Sequence, residues 1–437
     1  MFEITANWYD PSLSVDPFHD LVIGVPFALL MLYGGVRLGR AMLPRDVPSM
    51  VWKIFLAAIA LRALAVPVLH FTGLSLAFGP DEKSFNVVGS QMARHWQGLE
   101  PFPYRADYSA ERFFFYVNGL VYYLAGYVKF LPKYINVIVG GVTTIYTYKI
   151  ARALFNHESG VIAMASVAFL PSLVLWSSLN IRDPWAFLAV TAIVWELIRL
   201  RHRVSLGPIV AVLVWLAILF NLRQPTAIIV VGSLGMSFVV ARREHIHRNI
   251  VVGLTLCVML LLGFHFLGFS SRHLTASPAE ALQMMDAIHQ ELSKGSGAYG
   301  GEGEDISTAT GALTWLPKGL TFFLLGPLPW QAETPLQLTA LPETLIWYYL
   351  LYHAMIGLGF VIRHGRIDAW LLVLLAINLT LIFSLVEGNV GTAFRHRAQV
   401  LPLYLILASL GIYLRRAPRP GPPLLRPHPS RLRSHSA

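Results

Sequence analysis

The chain has 437 residues, 55% of them hydrophobic and only 13% charged, with a formal net charge of +10. A soluble domain carries roughly 25% charged residues, so the composition argues against a water-soluble core and for an all-α polytopic membrane protein. The basic residues lie in short segments between apolar runs rather than in one patch, which argues against a nucleic-acid partner, and the single Cys257 excludes an intrachain disulfide.

The N-terminal stretch, Met1 to Asp20, is acidic and holds no Lys or Arg, unlike a signal peptide. Apolar runs then predict about eleven transmembrane helices, near 21–36, 52–73, 134–151, 159–177, 184–199, 207–221, 225–241, 250–268, 343–361, 369–385 and 398–414. Arginines cluster after several of these runs, at Arg37, Arg40 and Arg45, at Arg199, Arg201 and Arg203, at Arg242, Arg243 and Arg248, and at Arg363 and Arg366. Placing these clusters in the cytoplasm sets the N-terminus outside and the C-terminus inside. Residues 1–414 then form a single transmembrane domain, and the proline- and arginine-rich 415–437 reads as a disordered basic cytoplasmic tail.

Two further apolar segments do not fit this threading as crossings. Phe113–Leu131 and Leu313–Trp330 are rich in aromatic residues, which favour the membrane interface. They read as interfacial or re-entrant helices on the outer face, inside outer loops at 73–133 and 268–342. Most of the acidic residues fall on the same face. In the first loop, Gly79-Pro80-Asp81-Glu82 opens a helix reaching Trp96, since acidic residues suit a helix N-terminus. In the second, Ser277-Pro278-Ala279-Glu280 is a capping box with proline in the first turn, opening a helix to about Ser293. The glycine-rich Gly295–Gly303 that follows reads equally as a lid or a linker.

Three motifs could carry chemistry. Asp81 and Glu82, just outside a span, could serve as general base or hold a hard divalent cation; the alternative is an acidic pair that merely caps a helix. Asp183, in Asn180-Ile181-Arg182-Asp183-Pro184, stands at the mouth of a span, where it could act on substrate or simply cap the helix and pair with Arg182. Gly391-Thr392-Ala393-Phe394-Arg395-His396-Arg397 puts two arginines on the outer side, against the positive-inside trend; they suit a phosphate, or plain headgroup anchoring. Glu387 and Asn389 lie near enough in sequence to pair with them. Arg62 lies mid-span and Arg223 near the outer end of a span, where a charge usually faces a polar interior. His70, His95 and His265 are scattered, without the spacing of a zinc site.

The order of these features resembles the GT-C superfamily of membrane glycosyltransferases, which includes oligosaccharyltransferases, protein O-mannosyltransferases and aminoarabinose transferases. Asp81-Glu82-Lys83-Ser84-Phe85 resembles its acidic motif in the first outer loop, and Phe113–Tyr127 its aromatic interfacial helix. Ala151–Phe155 resembles the basic turn that follows, and Pro171 with Trp176–Asp183 the segment bearing the second acidic position. Arg395-His396-Arg397 with Pro402 resembles a late basic motif of bacterial members. The span before Val51 is extra to that pattern, and Asp183 is a lone acid where the pattern has a pair.

The resemblance implies a GT-C-like fold in a bacterial-type plasma (inner) membrane and an inverting glycosyltransferase. A sugar would move from a polyprenyl-phosphate donor to a glycan, lipid or protein acceptor on the extracytoplasmic face. Asp81 or Glu82 would take the acceptor proton, Asp183 would orient the acceptor, and Arg395, Arg397 and Arg223 would hold the donor phosphate. Metal use stays open at this stage; Mg or Mn, if used, would fall to Asp81, Glu82 and Asp183. The rival readings are an O-antigen-type polymerase or ligase, whose key basic residues are expected in one large late loop, and a lipid-linked sugar flippase or transporter, expected to show inverted repeats. Here the acidic pair is early and no repeated halves are visible.

Overall fold

The structure is a computed structural model and describes residues 18, 20–103, 111–240, 277–295, 297–300, 304–332 and 335–416. Among these residues it is helical throughout, and the strand-like pairing is confined to an isolated bridge between Ala298 and Asn389. Four helical stretches are long and apolar enough to cross a membrane: Asp20–Met42, Ser49–Phe71, Gln337–Arg363 and Ile367–Val386. The pair Val390–Arg397 and Leu401–Arg416, bent by 64°, is long and apolar enough only when the two helices are taken together, as a broken span or a re-entrant loop.

The expected count of about eleven spans is therefore not reached by length and apolarity among the described residues. Each predicted span that falls on them does coincide with helix. The run at 134–151 is the helix Leu131–Leu154, which carries Asn136, Thr143, Thr144, Thr147, Lys149 and Arg152 and is too polar to pass as an apolar span. The runs at 207–221 and 225–241 are the shorter apolar helices Leu206–Phe220 and Gln224–Val240. The run at 250–268 lies outside the described residues.

One expected span is broken. The run at 159–177 is two helices, His157–Phe169 and Pro171–Trp176, separated by an extended Leu170 with φ −65° and ψ 122°. The cause is Pro171, whose ring disfavours the helical conformation in the residue before it. The two proposed interfacial segments are helices Arg112–Ala125 and Ala309–Leu325, of 14 and 17 residues. The first falls short of the roughly 17–25 residues of a span, and the second is at the lower end of that range.

The chain divides into two compact units. The first comprises Met1–Ile145, Ala168–Val190 and Val214–Ala227; the second Tyr146–Val167, Thr191–Leu213 and Ile228–Ala437.

In the first unit, the helices Glu82–Trp96 and Arg112–Ala125 pack face to face. A β-carbon on Gly89 would stand 2.6 Å from Asn118 Cβ, and one on Gly119 would stand 2.8 Å from Met92 Cβ. Neither glycine could carry a side chain without spreading the pair. Phe85, Val88, Met92, Phe114, Phe115 and Leu222 form the buried core between them, with the Phe85 and Phe114 rings edge to face at 4.7 Å. The opposite face of Arg112–Ala125 leaves Tyr116, Leu120, Tyr123 and Leu124 exposed at helical spacing. A helix apolar on both faces suits packing on protein on one side and contact with lipid on the other.

In the second unit, Pro335–Arg363 and Leu401–Arg416 cross closely where Gly357 and Gly411 meet the backbone of Leu407 and His353. Three side chains close the C-terminal end of Ala309–Leu325, whose last carbonyls have no partner within the helix. Trp347 Nε1 donates to Leu324 O at 2.6 Å, Tyr348 Oη to Leu325 O at 2.6 Å, and Arg397 to the same turn.

Candidate functional site

The acidic residues of the first unit meet around the turn Leu179–Asp183. Gly79 packs against Leu179 and Ile181, so the segment entering the Glu82–Trp96 helix rests on that turn. Asn136 braces it from the Leu131–Leu154 helix, donating through Nδ2 to Leu179 O and Ile181 O, both at 2.7 Å, and accepting from Trp185 Nε1 at 2.9 Å. Asp183 is thereby fixed as the first residue of its helix, with Pro184 in the first turn, where the missing N–H costs nothing.

Asp81 and Glu82 are adjacent but differ in environment. Asp81 is partly exposed and holds the N-cap position, yet its side chain does not take the cap. Glu82 is buried, with Oε1 2.7 Å from Lys133 Nζ and Oε2 accepting from Asn180 N–H at 3.4 Å. Burial pulls the Lys133 ammonium below the ordinary lysine range, and the Glu82 carboxylate draws it back up. His70 Nδ1 lies 3.3 Å from the same Nζ.

Asp183, fully buried, is paired with Arg223. The adjacent Arg182 reaches Glu111 at 2.6 Å and Leu222 O at 3.1 Å, which ties the start of the Arg112–Ala125 helix to the start of the Asp183 helix. Beneath these ion pairs lies an amide cluster that sequence reasoning missed. Asn180 Nδ2 donates to both Asn86 Oδ1 and Asn118 Oδ1 at 2.7 Å, and Tyr122 Oη donates to Asn86 Oδ1 at 2.7 Å. Asn180 Oδ1 is buried without a hydrogen-bond partner among the described residues. Part of the signal was present: Asn118 interrupts an otherwise apolar helix face, and buried polar groups occur where partners await them, whereas Asn86 shares its face with Glu82 and Ser90.

Arg62 belongs to the same unit and is buried mid-helix. Its Nε donates to Ser177 Oγ at 2.8 Å and its guanidinium to Ala168 O at 2.8 Å and Ala58 O at 3.1 Å. It thus donates to a backbone carbonyl before the break at Leu170–Pro171 and to a side-chain hydroxyl after it.

The late basic motif lies in the second unit, on the helix Val390–Arg397, which Asn389 caps through Oδ1 to Gly391 N–H at 2.8 Å. Its two arginines have different surroundings. Arg395 is partly exposed. Arg397 is buried, donating to Gly326 O at 2.8 Å, Leu324 O at 3.0 Å and Phe323 O at 3.4 Å, with its guanidinium over the rings of Phe394 and Trp347. Glu387 pairs with His396 and accepts from Thr392 Oγ1 at 2.6 Å.

Part of the glycine-rich segment is docked onto Glu387–Val390. Tyr299 N–H and Gly300 N–H both donate to Gly388 O, and Tyr299 Oη donates to Glu387 O at 2.9 Å. The remainder, including Glu302, is outside the described residues, as are Cys257 and His265. The capping box appears as expected, Glu280 N–H donating to Ser277 Oγ at 3.3 Å and Ser277 N–H to Glu280 Oε2 at 2.6 Å.

The donor set suits a divalent cation poorly. Among the described residues no three His, Cys, Asp or Glu side chains gather to hold one. Glu82 and Asp183 already face Lys133 and Arg223.

Residues 113–267 match the family model described as dolichyl-phosphate-mannose-protein mannosyltransferase. The chain is similar to GT-C-type membrane glycosyltransferases. The matched residues begin in the interfacial helix and include Lys133, Asn136, Asn180, Asp183 and Arg223. Among solved structures, the apo oligosaccharyltransferase of Archaeoglobus fulgidus aligns over 82% of this chain and 50% of its own, with 15% identity and a TM-score of 0.51, which is a likeness of fold. This chain therefore spans about half the length of that enzyme. The archaeal oligosaccharyltransferase AglB from Archaeoglobus fulgidus, in complex with an inhibitory peptide and a dolichol-phosphate, aligns over 86% of this chain and 52% of its own, with 13% identity and a TM-score of 0.48. A comparison with curated protein sequences finds no match.

Proposed function

We propose that the protein is an inverting glycosyltransferase that moves a sugar from a polyprenyl-phosphate donor to a glycan, lipid or protein acceptor, with Asp81 as the base. The observation that carries this reading is the division of labour among the three acids. Glu82 and Asp183 are buried against cations, while Asp81 is partly exposed at a helix start without capping it. The family match over residues 113–267 and the shared fold supply the reaction class.

In this reading Asp81 takes the proton of an acceptor hydroxyl or amine as its oxygen or nitrogen attacks the anomeric carbon. The bond from that carbon to the phosphate oxygen breaks with inversion, and the polyprenyl phosphate leaves as an anion. Arg223, in the same unit as Asp81, would share its charge with that anion while holding Asp183. Asp183 orients the acceptor. Arg395 is proposed separately as a phosphate contact, because it is the partly exposed arginine of its motif. The outer face of the plasma membrane is the proposed site of transfer.

The test uses membranes carrying the full chain and a labelled polyprenyl-phosphate sugar. Asp81→Asn is expected to lower transfer by about 10²–10⁴-fold with the unfolding temperature unchanged. Undiminished transfer by a folded Asp81→Asn protein would sink the proposal. Movement of the donor across the bilayer without bond cleavage would indicate a flippase.

A further inference from the structure

The acids that would anchor a divalent cation here are neutralised by the chain itself. Lys133 Nζ stands 2.7 Å from Glu82 Oε1, and the two side chains are 0% and 3% exposed. Arg223 is paired with Asp183, their side chains 10% and 0% exposed. The second oxygen of Glu82 faces the backbone N–H of Asn180, a donor. Magnesium demands about six oxygen ligands in near-octahedral geometry. Around Glu82 the neighbouring groups are an ammonium and an N–H, and of the amide oxygens nearby Asn86 Oδ1 and Asn118 Oδ1 are taken by hydrogen bonds, which leaves Asn180 Oδ1 as a single neutral oxygen, far short of a cation's ligand set. A dication bound to Glu82 would lie within a few ångströms of Lys133, where like charges repel strongly in a poorly screened interior. Asp81, Glu82, Asp183, Lys133 and Arg223 together then carry a single net negative charge, too little to hold a dication.

We propose that Lys133 and Arg223 are the resident counter-cations of the acidic site, and that the protein holds no divalent cation at Asp81, Glu82 and Asp183. Lys133, sealed from solvent, is a positioning residue that acts through Glu82. Glu82 in turn receives the Asn180 N–H and so fixes the turn that presents Asp183. Arg223 does the same for Asp183 directly and keeps some exposure. This deepens the functional reading by naming what neutralises its site. It is tested by metal binding rather than by transfer, so the two can fail separately.

The full-length protein, purified in detergent after EDTA treatment, is titrated with Mn2+ while bound metal and unfolding temperature are followed. The expected result for the wild type is sub-stoichiometric manganese and no saturable shift in unfolding temperature. Arg223→Ala uncovers the Asp183 carboxylate and is expected to gain a saturable stabilisation by Mn2+ that the double variant with Asp183→Asn lacks. Lys133→Gln provides the same comparison with Glu82→Gln should Arg223→Ala fail to fold. One manganese per wild-type chain, lost on Glu82→Gln or Asp183→Asn, would overturn the proposal. Absence of sugar transfer with every donor tried would fail the functional reading and leave the metal measurement standing.

Discussion

Lys133 Nζ lies 2.7 Å from Glu82 Oε1, and neither side chain has appreciable contact with solvent. A buried pair of this kind adds little net stability when intact, because desolvation of both ions offsets their attraction. Breaking it is another matter, since one charge is then buried alone. Lys133→Met is expected to destabilise the protein by about 3–5 kcal/mol. The double variant with Glu82→Gln should recover much of that loss, because no unpaired ion remains. Thermal unfolding of the four proteins of this cycle measures the coupling, and equal stability of wild type and Lys133→Met would show that the pair is not sealed as described.

The two arginines of the late motif should separate by phenotype. Arg397 donates to Phe323 O, Leu324 O and Gly326 O at the end of Ala309–Leu325, where Leu324 O also accepts from Trp347 Nε1. Arg397→Ala is expected to cost at least about 1–3 kcal/mol, the penalty for an unsatisfied buried polar group. Arg397→Lys should restore only part of it, because an ammonium can still donate to these carbonyls but lacks the planar guanidinium that lies over the rings of Phe394 and Trp347. Arg395→Ala should leave stability within about 1 kcal/mol of wild type while lowering transfer. Detergent unfolding temperatures beside transfer rates distinguish the two, and a loss of stability in Arg395→Ala as large as in Arg397→Ala would remove the distinction.

The capping box at Ser277 gives a pH-dependent prediction. The Ser277 backbone N–H and hydroxyl hold the Glu280 carboxyl below its usual range. A group whose pKa is depressed on folding contributes stability that is present above its unfolded value and lost as pH falls through the folded value. The first turn of the helix Pro278–Leu292 should therefore exchange its amide hydrogens faster as pH drops below the ordinary glutamate range, after correction for intrinsic exchange. Glu280→Gln should abolish that pH response. An unchanged response in the variant would place its origin elsewhere.

What the sequence made legible follows local rules. Helix positions, the proline-assisted start at Asp183 and the reciprocal cap at Ser277 each depend on residues within a few positions of one another. The break at Leu170 is equally local, set by the ring of Pro171, but hydrophobicity alone runs through it. The partners of the acids were not legible, because they come from distant segments. Lys133 reads in sequence as an ordinary basic residue before a span, and only folding brings it to Glu82. Asn86, Asn118 and Asn180 likewise look unrelated until three elements meet. Asp183 was expected to have Arg182 as a candidate partner; the fold gives it Arg223 and sends Arg182 to Glu111.

Tyr299 anchors the segment Lys294–Gly300, whose glycine-rich character suggested either a lid or a linker. Its ring lies 4.2 Å from Phe322 at 12° and 5.8 Å from Trp315 at 2°, both stacked. Its hydroxyl donates to Glu387 O at 2.9 Å, and burial pushes the phenol above the usual tyrosine range, so it stays a neutral donor across physiological pH. Asn389 Nδ2 adds a bond to Lys294 O at 3.1 Å. Removing the ring should release the segment far more than removing the hydroxyl does. Tyr299→Phe forfeits one hydrogen bond, about 1 kcal/mol, whereas Tyr299→Ala forfeits the stacking and leaves a void, about 3–5 kcal/mol. Trypsin cleavage after Lys294 reads the difference: slow in wild type, up to about fivefold faster in Tyr299→Phe if all of the lost energy goes to local opening, and much faster again in Tyr299→Ala. Equal cleavage of all three proteins would mean that the ring does not hold the segment down.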